Sequence, residues 1–143
     1  MPAWRREAEA LIAGVLGPAP VAWIAWDEVL RGGSELPSLV LTFLGASPGP
    51  AERMAALTRI EAALASGGWL VVVDHNRPRR CLGALRALIG VPKVAGWSPA
   101  ARWRRLAHPT AREVQAAGFG VECLRFAAGE RVQLVIGRKR VAG

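Results

Sequence analysis

Few residues in this chain could do chemistry. His75 and His108 are its only histidines. His75 follows Asp74 at the end of the apolar run Trp69–Asp74 (WLVVVD). Ligands of parallel sheets bind at the carboxyl ends of the strands, so Asp74 and His75 are the catalytic candidates. His75 suits a general base or a group that orients a substrate. The competing reading is a surface loop histidine beside Pro78-Arg79-Arg80. His108 precedes Pro109 and Thr110 and reads as a loop residue at a helix entry. The two histidines do not form a metal-binding spacing, and Cys81 and Cys123 lack a CxxC pattern. No Ser/His/Asp or Cys/His arrangement has a supporting context.

A second group is basic. Arg77, Arg79, Arg80 and Arg86 precede Lys93, Arg102, Arg104 and Arg105, with Trp97 and Trp103 interleaved. Arginines that meet phosphates and rings that stack on bases suit single-stranded nucleic acid. The contact candidates are Arg77, Arg79, Arg80, Arg102, Trp103, Arg104 and Arg105. The alternative is a solvated arginine face whose tryptophans pack into the core. The net charge of +8 favours RNA or another anionic partner, or simply keeps the protein dispersed.

These residues need elements to position them. A chain of 143 residues, 52% of them apolar, is one domain with a sizeable core, spanning 1–143. Arg5 and Arg6 are followed at once by Glu7 and Glu9, and the apolar run Leu11–Leu16 is short, which makes a poor signal peptide. No apolar stretch approaches the ~20 residues that cross a bilayer. Reduced thiols and a cytoplasmic location are the expectation.

Helical spacing of Ala8, Leu11, Ile12 and Val15 predicts a helix over Trp4–Leu16, stopped by Gly17-Pro18. Val21–Trp26 and Ser38–Leu44 read as buried strands. Pro50–Ala65 reads as a helix with the stripe Met54, Leu57, Ile60 and Leu64, capped by a left-handed glycine in Ser66-Gly67-Gly68. Trp69–Asp74 is the strongest strand. Strand, helix and strand over 38–74 predict a parallel crossover. Pro78–Ile89 reads as a helix. Thr110–Ala117 reads as another, with Thr110 and Glu113 spaced as a capping box. Val121–Phe126 and Val132–Ile136 form an antiparallel hairpin. The fold class is α/β, with a mostly parallel sheet closed by that hairpin.

The passage Leu64-Ala65-Ser66-Gly67-Gly68-Trp69-Leu70-Val71-Val72-Val73-Asp74 resembles the helix-to-fifth-strand passage of class I methyltransferases. Val114-Gln115-Ala116-Ala117-Gly118-Phe119 resembles the family's last helix and its Ala-Gly-Phe turn. Val132–Lys139 resembles the last strand, and Ser38–Leu44 falls where the fourth strand belongs. The likeness covers residues 35–139. It implies a truncated Rossmann-like methyltransferase fold, with S-adenosylmethionine and the methyl acceptor near Leu44, Gly45, Asp74 and His75. Val21–Trp26 would match the third strand, and Asp27-Glu28 the acids that contact the adenine amine.

The family's first strand runs into a Gly-rich turn where backbone meets cofactor, and a side chain there would collide with the ligand. Gly14, Gly17, Gly32 and Gly33 are the only early glycines, and none lies between a clear strand and a helix. Two functions follow. One is a divergent or shortened methyltransferase, acting alone or completed by another chain. The other is a non-catalytic scaffold for RNA or a partner protein, with no cofactor. Without the family's first strands, Ser38–Leu44 must pair directly with Val21–Trp26 or present an open edge. A homodimer or partner chain is expected at the edge near Val21–Leu44.

Overall fold

The computed structural model describes residues 1–18, 21–29, 31, 36–44, 48–76 and 109–141. The predicted helix over Pro78–Ile89, His108 and the arginine–tryptophan segment lie outside the described residues, as does Gly45.

The elements are α1 (Ala3–Leu16), β1 (Ala22–Ala25), α2 (Trp26–Val29), β2 (Leu36–Thr42), α3 (Pro50–Ala63), β3 (Leu64–His75), α4 (Thr110–Ala116), β4 (Phe119–Ala127) and β5 (Val132–Lys139). They build one five-stranded sheet of order β1-β2-β3-β5-β4. β1 to β3 are parallel, and β5 pairs antiparallel with both β3 and β4. Val21–Trp26 thus pairs directly with the second strand. In the methyltransferase pattern two strands separate the third from the fourth, so β1 does not hold the third strand's place.

Alternation along the strands sorts side chains onto two faces. Val40, Val71, Val73, Leu134 and Ile136 meet Ala8 and Ile12 of α1 on one face. Leu39, Leu41, Leu70, Val72 and Val135 meet Leu57 and Ile60 of α3 and Val114 of α4 on the other. The sheet is therefore covered on both faces, and β3 is apolar on both because both are buried. Removing one such Val, Leu or Ile side chain from water contributes roughly 1.5–3 kcal/mol.

β1 forms one edge of the sheet. Trp23 is half-buried on the α1 side, beside Trp4 at 6.3 Å between ring centroids and under the Arg5 guanidinium. Trp26 packs on the opposite cluster, and Ile24 is half-buried. These side chains are covered in part within one chain. At the other edge, Leu124 and Phe126 of β4 are exposed. Among the described residues no helix is long and apolar enough to cross a membrane.

Two local expectations fail in an informative way. α3 does not end in a left-handed glycine. Its C-cap is Leu64 in extended conformation, and the Lys139 ammonium donates to the carbonyls of Glu61 and Leu64. A cation from β5 thus satisfies carbonyls that a glycine cap would have served. Gly67 and Gly68 instead form an irregularity inside β3, where two steps of β2 (Leu36 to Ser38) face five of β3 (Leu64 to Trp69). Gly67 has φ +73°, and a Cβ on Gly68 would sit 2.6 Å from the Pro37 carbonyl oxygen and 2.8 Å from that of Ala65. Both obstacles are backbone and cannot turn aside.

Gly68→Ala should therefore act as an overpacking substitution, with a cost of about 1–3 kcal/mol in urea unfolding. A change within about 0.3 kcal/mol, the scatter of neutral sites, would show that β3 accommodates a side chain there.

Candidate functional site

The site grows from the carboxyl ends of the parallel strands. β1 ends at Ala25 and passes directly into α2. The Glu28 carboxylate accepts the Ala25 N–H at 3.3 Å, and Asp27 pairs with Arg31 at 2.8 Å on the exposed surface. β2 ends near Leu44, whose N–H donates to Thr42 Oγ1 at 3.1 Å. β3 ends at Asp74 and His75, each 2% exposed. The topology brings Asp27, Glu28, Leu44, Asp74 and His75 to one edge of the sheet. His75 is buried, contrary to the surface-loop reading.

Asp74 points to the face covered by α3 and α4, and there it meets Arg53. The Arg53 side chain is 2% exposed, in the first turn of α3. Its Nη2 donates to Asp74 Oδ2 at 2.6 Å and to Glu113 Oε1 at 2.8 Å, and its Nε donates to both Glu113 oxygens. The guanidinium also lies over the Phe43 ring at 4.1 Å. Thr110 Oγ1 donates to Asp74 Oδ2 at 2.9 Å and accepts from Arg53 and from Gln133 Nε2. Five polar side chains from α3, β3, α4 and β5 thus share one buried network.

This replaces the predicted capping box. The N-cap of α4 is Pro109, and no side chain caps it. Thr110 and Glu113 turn inward because a buried guanidinium needs acceptors more than an exposed helix end needs a cap. The predicted stripe of α3 rotates for the same reason. Its buried residues are Arg53, Ala56, Leu57 and Ile60, while Met54 is only half-buried. The signal was present in the sequence. Arg53 lies four residues before Leu57 and seven before Ile60, on the apolar face. Acids at a strand end (Asp74) and in a helix's first turn (Glu113) were its available partners.

Burial disfavours the Arg53 charge, but hydrogen bonds to Glu113 and the fields of Asp74 and Glu113 outweigh it and raise the pKa above its ordinary value. A raised pKa means the linked stability is fully present at neutral pH and is lost only as pH rises through the strongly alkaline range. Breaking a buried pair by removing one partner costs about 3–5 kcal/mol, whereas an exposed pair such as Arg31–Asp27 is worth at most about 1 kcal/mol.

Among the described residues no group of three or more His, Cys, Asp or Glu is placed to hold a metal ion. The described residues also do not fit the whole of S-adenosylmethionine. No glycine occurs from Ala22 to Arg31, and half-buried Trp26, the first residue of α2, packs against the core where β1 ends. Among the described residues no close-approach cradle of the Gly-rich kind is found there.

No protein-family model and no curated protein matches the chain. Solved structures do. A possible exported protein from Bordetella parapertussis superposes with a TM-score of 0.57 at 17% identity, over 96% of this chain and 50% of that one. An O-methyltransferase family protein from Burkholderia thailandensis superposes with a TM-score of 0.54 at 19% identity, over 100% and 43%. CalO1, a methyltransferase of calicheamicin biosynthesis in its SAH-bound form, superposes with a TM-score of 0.54 at 17% identity, over 80% and 32%. The chain spans half or less of each of these structures. The fold is the truncated, Rossmann-like sheet of class I methyltransferases.

Proposed function

We propose that this is a methyltransferase-like domain that supplies the acceptor side of a methyl-transfer site and depends on another polypeptide segment for the donor side. The observation that carries the reading is the convergence of Asp27, Leu44, Asp74 and His75 at the carboxyl edge of a methyltransferase-type sheet. The dependence on a further segment is supported by the absence of a Gly-rich cradle among the described residues. Methyl transfer to an oxygen or nitrogen nucleophile needs placement and removal of one proton. In this reading His75 takes that proton, and Asp74 is structural because Arg53 and Thr110 already occupy it. With β1 outside the third strand's place, Asp27 and Glu28 keep their local partners in this reading and are given no cofactor role. The outer edge of β1 is the place for a partner strand, from a second copy or another chain.

The test uses the protein isolated under mild conditions with whatever chains accompany it. Methyl label from S-adenosylmethionine should pass to an acceptor, and His75→Ala should slow transfer by roughly 100-fold, the lower range for a lost general base. The isolated chain should give no saturable S-adenosylmethionine binding in calorimetry. Micromolar binding by the chain alone would contradict the divided site. A native assembly that neither binds nor transfers would leave the scaffold reading.

One observation favours that second reading. Residues 77–108 hold eight of the 19 basic residues and none of the 11 acidic ones, so the rest of the chain is neutral and this segment carries the whole net charge. Its ends attach at Asn76 and Pro109, beside the strand-end cluster. A scaffold that grips RNA through this segment should bind poly-uridine with strong salt dependence. Changing Arg102, Arg104 and Arg105 to Ala should lower the logarithmic salt slope by about 0.7 for each phosphate that is no longer neutralised. Absence of RNA binding at low salt would end this reading.

A further inference from the structure

The network around Arg53 does more than join helices to the sheet. The pairing of β2 with β3 stops at Thr42 opposite Val73, where the Phe43 N–H donates to the Val73 carbonyl at 3.0 Å. Main-chain groups of a strand point alternately to its two neighbours. On the β5 side, the Asn76 N–H still finds the Arg131 carbonyl. On the other side the next groups outward belong to His75, two residues past Val73, the last residue of β3 that pairs with β2. A buried N–H or C=O without a partner is costly, so side chains must stand in for the missing strand. They do so at both groups. The His75 N–H donates to Asp74 Oδ1 at 2.7 Å, and the His75 carbonyl accepts from Gln133 Nε2 at 3.0 Å.

Neither of these two side chains is held by itself. Asp74 is fixed through its other oxygen by Arg53 Nη2 and Thr110 Oγ1, and Gln133 is fixed by the same hydroxyl at 3.1 Å. Arg53 is fixed in turn by Glu113 and by the Phe43 ring. A guanidinium can serve two carboxylates at once from one rigid fork, which an ammonium cannot. We propose that Arg53 is a positioning residue for His75: it locks Asp74, and Asp74 with Gln133 clamps the His75 main chain on both sides. The clamp sets where the Cα–Cβ bond points, and so where the imidazole is presented at the strand edge. This inference rests on His75 as the acting group of the proposed site, but its test does not.

Histidine labelled with 15N gives signals from only two residues, and His108→Gln assigns them. Arg53→Lys keeps the charge and loses the fork. Gln133→Leu leaves the ion cluster intact and removes one jaw of the clamp, so it decides the matter if Arg53→Lys does not fold. Both variants should speed exchange of the His75 amide by at least roughly tenfold, the mark of local opening. Both should also move its imidazole nitrogen resonances. Variants with lower thermal midpoints but wild-type His75 exchange and imidazole signals would overturn the proposal, and Arg53 would be structural only. A wild-type transfer rate from His75→Ala protein would overturn the base reading separately, in a different assay.

Discussion

One buried guanidinium organises the carboxyl edge of this sheet. Arg53 enters the interior from α3 and takes acceptors from β3 and α4, which lie 21 and 60 residues away in sequence. Each of these bonds closes a long loop, so the network can form only when sheet and helices have met. A buried ion cluster is weak evidence of net stability, because desolvation consumes most of the attraction. What it supplies is one arrangement. Arg53 meets Asp74, Glu113 and the Phe43 ring together only in this seating of α3 on the sheet.

At the same edge, a sheet of methyltransferase type carries no Gly-rich cradle among the described residues. β1, β2 and β3 follow in order across the sheet. Trp26 and Val29 of α2 pack on the same cluster as α3, so both helices lie over one face. A ligand crevice in an open α/β sheet forms where neighbouring connections leave to opposite faces. Among the described residues, α2 and α3 do not diverge in this way. Trp26, Phe43 and the Arg53 cluster pack at this end of the sheet, and His75 follows Asp74 there as a buried residue.

The strands were legible in the sequence because apolar runs and turn residues report burial on both faces directly. Ser38–Leu44, Trp69–Asp74 and the closing hairpin appear where they were expected, paired as expected. So did α1, whose stripe Ala8, Leu11, Ile12 and Val15 faces the sheet. What the sequence hid is tertiary. A capping-box spacing and a left-handed glycine cap are local rules, and both lost to partners supplied from elsewhere: Arg53 for Thr110 and Glu113, and Lys139 for the end of α3. Gly67 and Gly68 matched a family pattern for a different local reason, the close passage of the Pro37 carbonyl. A charged residue on an apolar stripe was the one clue to the site that periodicity alone discounts.

The central claim is that Arg53 and Glu113 act as a unit buried in the interior. A double-mutant cycle on Arg53→Met and Glu113→Leu measures this by urea unfolding of the wild type, both single variants and the double variant. The account predicts a coupling energy of at least about 2 kcal/mol, with the double variant far less destabilised than the two single variants added together. Additive effects, with coupling below about 0.5 kcal/mol, would contradict it.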